Sequence, residues 1–173
     1  MGVSTSLDTN GYGQAMNPTL RPALLALVIP LALYGGALIS QYGFGLYPCE
    51  MCYWQRWPHQ AAILLAVLAL VLRSNRTAMR ALIILAAIAI LVSGGIGAFH
   101  AGVEYGFWPG PACSAAATGP VTIDDLMAGP VIACDKPQWT LAGISLAGFN
   151  ALFSFAGGIA ILTALSRRQD HRA

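Results

Sequence analysis

Four runs of apolar residues, separated by polar or Gly/Pro-rich stretches, dominate the pattern of this chain. They cover about 22–41, 54–72, 81–101 and 141–165. Each meets or approaches the ~20 apolar residues an α-helix needs to cross hydrocarbon. The second is the least hydrophobic, because Gln55, Arg56, His59 and Gln60 crowd its start. The links at 42–48 and 73–80 are short, so the first three runs are expected to stand as adjacent, antiparallel helices. The predicted fold class is all-α: a polytopic membrane four-helix bundle in a single domain spanning 1–173, with a long irregular connection between helices three and four.

Finer features follow the same pattern. Residues 1–21 are rich in Gly, Ser, Thr and Asn, lack apolar periodicity and read as a tail. The third run carries two rows of small residues, Ser93/Gly97/Ala101 and Gly94/Ala98/Gly102. Such rows let helix backbones approach closely, or leave room for a flat ligand. His100 and Glu104 follow at i, i+4. The connection 102–139 is longer than two spans require and is broken by five prolines, Pro109, Pro111, Pro120, Pro130 and Pro137. Within it, 122–127 has the start signals and apolar edge of a short helix lying on a membrane surface. In the fourth run Asn150 is polar at moderate depth and is expected to face the bundle interior, most simply as a helix–helix hydrogen bond. Residues 166–173 form a basic tail.

Composition supports lipid as the solvent. The chain is 57% hydrophobic and 9% charged, against roughly 25% charged in soluble domains. Arg21, Arg73, Arg76, Arg80, Arg167, Arg168 and Arg172 flank one face of the predicted bundle, whereas Arg56 and Lys136 lie toward the other. Positive residues stay cytoplasmic. Both termini and the 73–80 loop are therefore expected inside, in a bacterial inner membrane, with no cleavable signal peptide. The net charge of +2 is topological, and no nucleic-acid-binding patch is present. All four tryptophans, Trp54, Trp57, Trp108 and Trp139, fall near the outer face, where indoles settle at the headgroup level.

All four cysteines, Cys49, Cys52, Cys113 and Cys134, also fall in or beside the outer connections. That is the compartment in which disulfides persist. Cys49 and Cys52 form a Cys-x-x-Cys pair at the start of the second run, and can close a small ring. Cys113 and Cys134 can close a large loop. If the second helix has already begun here, Cys52, Arg56 and His59 share one face. A guanidinium one turn from a sulfur favours thiolate over thiol, although Glu50 opposes it. It can also polarise an oxygen of a bound acceptor. A thiolate attacks a disulfide and passes the bond along through a mixed disulfide, so two pairs on one face suggest a relay from a soluble partner to a quinone in the bilayer. Other readings are a structural clip with Arg56 snorkelling to the interface, a statically disulfide-braced membrane protein, and a tetrathiolate zinc site. The last is disfavoured because zinc sites usually use two close pairs. An oxidoreductase of the vitamin K epoxide reductase type is disfavoured by the position of the Cys-x-x-Cys pair.

Pro48-Cys49-Glu50-Met51-Cys52 with Gln55-Arg56, Gly102-Val103-Glu104, and Ala133-Cys134-Asp135 with Gln138-Trp139 together resemble the disulfide bond formation protein B (DsbB) family. The resemblance runs from the first span to the fourth. It implies a quinone-dependent disulfide oxidoreductase that reoxidises a periplasmic thioredoxin-fold thiol oxidase of the DsbA type and passes electrons to the membrane quinone pool, as ubiquinone or menaquinone. It implies catalytic roles for Cys49, Cys52, Cys113 and Cys134, paired as Cys49–Cys52 and Cys113–Cys134. Cys52 would lie beside the quinone with Arg56 as the quinone-side cation. Cys113 would meet the soluble oxidase, and Cys134 would attack the Cys49–Cys52 bond. His59, His100 and Glu104 complete the expected cofactor contacts, and no metal is expected. The segment from Pro111 to Cys134 departs in length and sequence from familiar members.

Overall fold

A computed structural model describes residues 19–111 and 132–170. Four long helices form: α1 Leu20–Phe44, α2 Glu50–Val71, α3 Arg76–Glu104 and α4 Leu146–Asp170. α1, α3 and the Leu146–Arg167 part of α4 are each long and apolar enough to cross a membrane. α2 is similar in length, at 22 residues. The polar residues anticipated at its start lower its hydropathy. Its Gln55 and His59 are buried inside the bundle, so lipid does not meet them. Of the expected tails at 1–21 and 166–173, residues 20–21 and 166–170 are instead helical, continuing α1 and α4. Residues 1–18 and 171–173, the short helix at 122–127 and Cys113 lie outside the described residues.

The helix ends follow from local chemistry. α1 stops at Gly45, whose positive φ of 68° turns its N–H back onto Ser40 O, the left-handed cap that glycine adopts without a Cβ penalty. α3 starts at Asn75, whose side chain accepts the Ala78 N–H at 3.0 Å. α2 starts at Cys49, and here the capping acceptor is the sulfur itself, 3.3 Å from the Cys52 N. The fourth helix begins five residues later than its apolar run. Thr140–Leu141 (β1) and Ile144–Ser145 (β2) instead pair antiparallel across a turn at Ala142 and Gly143. Both turn residues have positive φ, 51° and 78°, which suits a two-residue hairpin. Tyr105 ties this hairpin to the end of α3: its hydroxyl donates to Gly143 O at 2.7 Å and accepts from Ser145 N at 2.9 Å.

Packing is of the membrane kind, with small residues inside and large ones outside. α2 touches α3, α3 touches α4, and α1 closes the ring against α2 and α4. Away from the cysteines, the core is made of Ala23, Ala26, Ala62, Ala66, Ala69, Ala86 and Ala87 around Met79, Ile83, Ile90 and Ile161. Leu31, Ile39, Leu64, Val71, Val92, Leu152 and Ile159 are exposed on the outer faces. Among lipid tails the drive to associate is close packing rather than apolar burial, and alanine lets the backbones approach. Gly94 and Gly97 of the small-residue rows on α3 serve this purpose, leaving no room for a ligand there, whereas Ala98 is exposed and Gly102 faces Trp108. A Cβ at Gly97 would lie 2.9 Å from both Ala147 O and the Asn150 side chain, and one at Gly94 would lie 3.0 Å from Ser154 Cβ.

Gly97→Ala should therefore destabilise the bundle by about 1–3 kcal/mol, the usual cost of overpacking. Gly35→Ala, where an added Cβ meets nothing within 4 Å, should leave stability unchanged or slightly raised. Unfolding of the two variants in the same detergent checks the contrast.

Candidate active site

The site lies where the start of α2, the end of α3 and the segment preceding β1 converge. The Cys49 and Cys52 sulfurs are unbonded thiols, 2.9 Å apart. Helix α2 does begin in time to place Cys52, Arg56 and His59 along it. The face that points inward is a different one: Met51, Gln55, His59, Ala62, Ala66 and Ala69. Cys134 is disulfide-bonded. It is almost wholly buried, and packs in one cluster with Cys49, Met51 and Val103. Three of the four cysteines predicted to exchange disulfides are thus in one apolar nest, Cys49 and Cys134 buried in it and Cys52 packed against it.

Cys49 is the acceptor of the reduced pair. Its Sγ faces the Cys52 N–H at 3.3 Å, the Cys52 thiol at 2.9 Å and His100 Nε2 at 3.6 Å. The Cys52 thiol hydrogen bond chiefly, with help from His100, outweighs burial and holds the Cys49 thiol down at about 5, from an ordinary 9.0. Its seat at the N-terminus of α2 works in the same direction. The sequence suggested Cys52 as the activated sulfur, with Arg56 as its cation. The hydrogen bond with Cys49 and burial instead raise the Cys52 thiol, outweighing the electrostatic lowering by Arg56, and the hydrogen bonds of Arg56 run to α1. Its guanidinium donates to Gln41 Oε1 at 2.6 Å and Ala37 O at 3.3 Å, both on α1, and lies over the Tyr53 ring at 5.3 Å. Helical spacing places Arg56 correctly along α2 but does not say which neighbour it reaches.

His100 Nε2 lies 3.7 Å from Glu104 Oε1, and both side chains are buried. One Glu104 oxygen, Oε2, has no hydrogen-bond partner among the described residues. His59 is held at Nε2 by Asn150 Oδ1 at 2.8 Å and Ser93 Oγ at 2.9 Å. Gln55 bridges the two histidine regions, 2.8 Å from His100 Nδ1 and 2.9 Å from Asn150 Nδ2. Sequence reasoning passed over Gln55. The available signal was its phase: Gln55 and His59, four apart, continue into the buried alanine stripe of α2.

A cavity of about 290 Å³ opens beside these groups. Cys52, Arg56, His59, His100 and Glu104 all line it, as does Cys49. Its other walls are largely apolar, with Tyr34, Phe149, Phe153 and Trp139 among them. It has the character of a small-ligand site: mostly apolar, with a few converging polar groups. Separately, donor atoms of Cys49, Cys52 and His100 lie within 4.8 Å of one another, a spacing one soft cation can bridge.

Comparison with known proteins agrees with this geometry. The family model described as disulfide bond formation protein DsbB matches residues 20–164, which is most of the chain. This chain belongs to the DsbB family. Disulfide bond formation protein B 1 of Pseudomonas fluorescens strain Pf0-1 is 29% identical over 158 residues, covering 86% of this chain and 89% of that protein. Its namesake in strain Pf-5 is 30% identical over 138 residues, covering 74% and 78%. An uncharacterized protein of Rickettsia prowazekii, RP370, is 28% identical over 138 residues, covering 76% and 78%. No solved structure matches. DsbB membership makes the chain a helical membrane protein with disulfide-forming oxidoreductase activity.

The depressed Cys49 value has a defined sign. The thiolate is favoured in the folded state, so its contribution to stability is fully present above the unfolded value of 9.0 and is lost as pH falls through about 5. With the pair reduced, alkylation of Cys49 by iodoacetamide should stay near its plateau from alkaline pH down to about 6 and halve near 5. Peptide mapping of the labelled cysteine checks this, and a midpoint near 9 would contradict it.

Proposed function

We propose that this DsbB-family chain reoxidises a soluble thioredoxin-fold thiol oxidase, of the DsbA type, and delivers the electrons to a membrane quinone. The cavity beside Cys52 and Arg56, at the same end of the bundle where Cys134 packs against Cys49, carries the reading. By the arginine distribution, that end faces the periplasm and both termini face the cytoplasm.

The lining fits a quinone ring. Aromatic and aliphatic walls suit a flat apolar body. Two contacts commit Arg56 to α1. A guanidinium has five N–H donors, so others remain to hold a carbonyl oxygen. A quinone held there would supply the two-electron, two-proton sink into which the Cys49–Cys52 dithiol closes to a disulfide. The protein's own residues do the rest. Arg56 orients the ring, and the apolar walls exclude water. The reduced soluble partner attacks the Cys113–Cys134 disulfide at Cys113 and leaves oxidised, and the freed Cys134 thiol attacks the Cys49–Cys52 disulfide at Cys49. Cys52 leaves as a thiolate beside the cavity, while Cys49 is held in the mixed disulfide. Cys113 then resolves that bond and restores the Cys113–Cys134 disulfide. In this cycle the low value of Cys49 describes the resting reduced pair. Cys52 becomes the quinone-side thiolate only once Cys49 is engaged.

Purified protein, a reduced thioredoxin-fold partner and a soluble quinone provide the test, followed by quinone absorbance. Turnover should disappear in Cys52→Ser and in Cys113→Ser, and Arg56→Ala should raise KM for the quinone. Undiminished turnover in Cys52→Ser would remove the assignment. Stoichiometric zinc in the purified protein, with no quinone reduction, would favour the metal-binding alternative.

A further inference from the structure

The polar side chains between the helices form a chain with a single direction. Asn150 Nδ2 lies 3.2 Å from the Ser93 carbonyl oxygen. A carbonyl only accepts, so that atom must be the amide nitrogen and Oδ1 the acceptor. Asn150 Oδ1 is then filled by His59 Nε2–H at 2.8 Å and the Ser154 hydroxyl at 3.2 Å. Asn150 Nδ2 also donates to Gln55 Oε1 at 2.9 Å. Gln55 is fixed by the same logic. Its Nε2 lies 3.2 Å from Met51 O, again a pure acceptor. The second Nε2 hydrogen therefore goes to His100 Nδ1, 2.8 Å away. Nδ1 of His100 is an acceptor and carries no proton. Its one remaining hydrogen is on Nε2, which faces Cys49 Sγ at 3.6 Å and Glu104 Oε1 at 3.7 Å.

We infer that Gln55 and Asn150 are positioning residues for the exchange reaction: they lock His100 as the neutral Nε2–H tautomer, so that it serves Cys49 as a fixed hydrogen-bond donor and not as an imidazolium or a proton-accepting base. Protonating Nδ1 would set its N–H against the Gln55 N–H, with no acceptor between them. Release of that lock requires Gln55 to rotate, which costs the bonds to Met51 O and Asn150 together. A buried ring tied in this way holds its geometry through the sulfur's changes of state. The inference deepens the proposed exchange at Cys49 and assigns Gln55 and Asn150 a purpose beyond joining helices.

The test uses the full-length protein in detergent, labelled with 15N-histidine, with Cys49 and Cys52 reduced and neither quinone nor partner present. The chain has three histidines, and His100→Gln assigns the relevant signals. His100 should show a proton-free Nδ1 and a protonated Nε2 at neutral pH. Gln55→Glu, nearly isosteric, should move a proton onto Nδ1, because the carboxylate accepts and cannot donate. Gln55→Met should release the lock, give mixed tautomers and raise the pH midpoint of Cys49 alkylation by about one unit, equivalent to about 1.4 kcal/mol of lost donation. An imidazolium or an Nδ1–H tautomer in the unmodified protein would overturn the inference, whatever the variants do. So would a tautomer unchanged in both Gln55 variants. Because quinone is absent from the experiment, a locked tautomer in a protein that fails to reduce quinone would sink the functional proposal and leave this inference standing.

Discussion

The sulfur of Cys49 sits at the first N–H groups of α2, and much of the site is arranged around that contact. A helix start leaves unpaired donors and a partial positive charge. Most helices meet them with a hydroxyl or carboxylate oxygen. Here a thiol fills the position, so the local need of the helix and the chemical need of the site coincide. The Cys52 amide and thiol then both point at one sulfur. His100 approaches it from α3, and Cys134 packs in the same nest. Three separate parts of the chain converge because α2 starts where it does.

The second constraint is the absence of water between membrane helices. Polar groups placed there must satisfy one another. Gln55, His59 through its Nε2, Ser93, Asn150 and Ser154 do this with short bonds across α2, α3 and α4, and the buried His59 Nδ1 alone in this group has no partner among the described residues. Gly97 is part of the same solution, since its missing side chain lets Asn150 and the α4 backbone come close. The alanine-rich packing farther along the bundle holds these helices at the separation the network requires. Packing, polar satisfaction and site geometry are one problem here.

Much of this was legible in the sequence. Long apolar runs gave the helices, because helix length and hydropathy are local properties. Spacing put Cys52 and Arg56 on one face of α2, and both line the cavity. Properties set by neighbours were harder to read. Arg56 turns to Gln41 and Ala37 because α1 ends beside it, and nothing in the spacing of α2 shows that. Gln55 counted only among the polar residues at a span's start, and its phase with His59 and the alanine stripe marks it as buried. The hairpin before α4 was absorbed into an apolar run, since Leu141 and Ile144 suit a strand as well as a helix and the turn rests on the backbone of Ala142 and Gly143. Which of two adjacent sulfurs accepts hydrogen bonds depends on three-dimensional partners, and the sequence-based choice of Cys52 was reversed for the reduced state.

The central claim is that electrons leave through the Cys49–Cys52 pair into a ring bound beside it. A single-turnover experiment addresses it most directly. The double variant Cys113→Ser/Cys134→Ser, fully reduced and freed of excess reductant, is mixed with a slight excess of soluble quinone, and quinol and remaining thiols are counted together. The account predicts one quinol formed per chain, with loss of both remaining thiols as one intramolecular disulfide. Both thiols intact and no quinol formed, in a protein that retains its helical content, would contradict it.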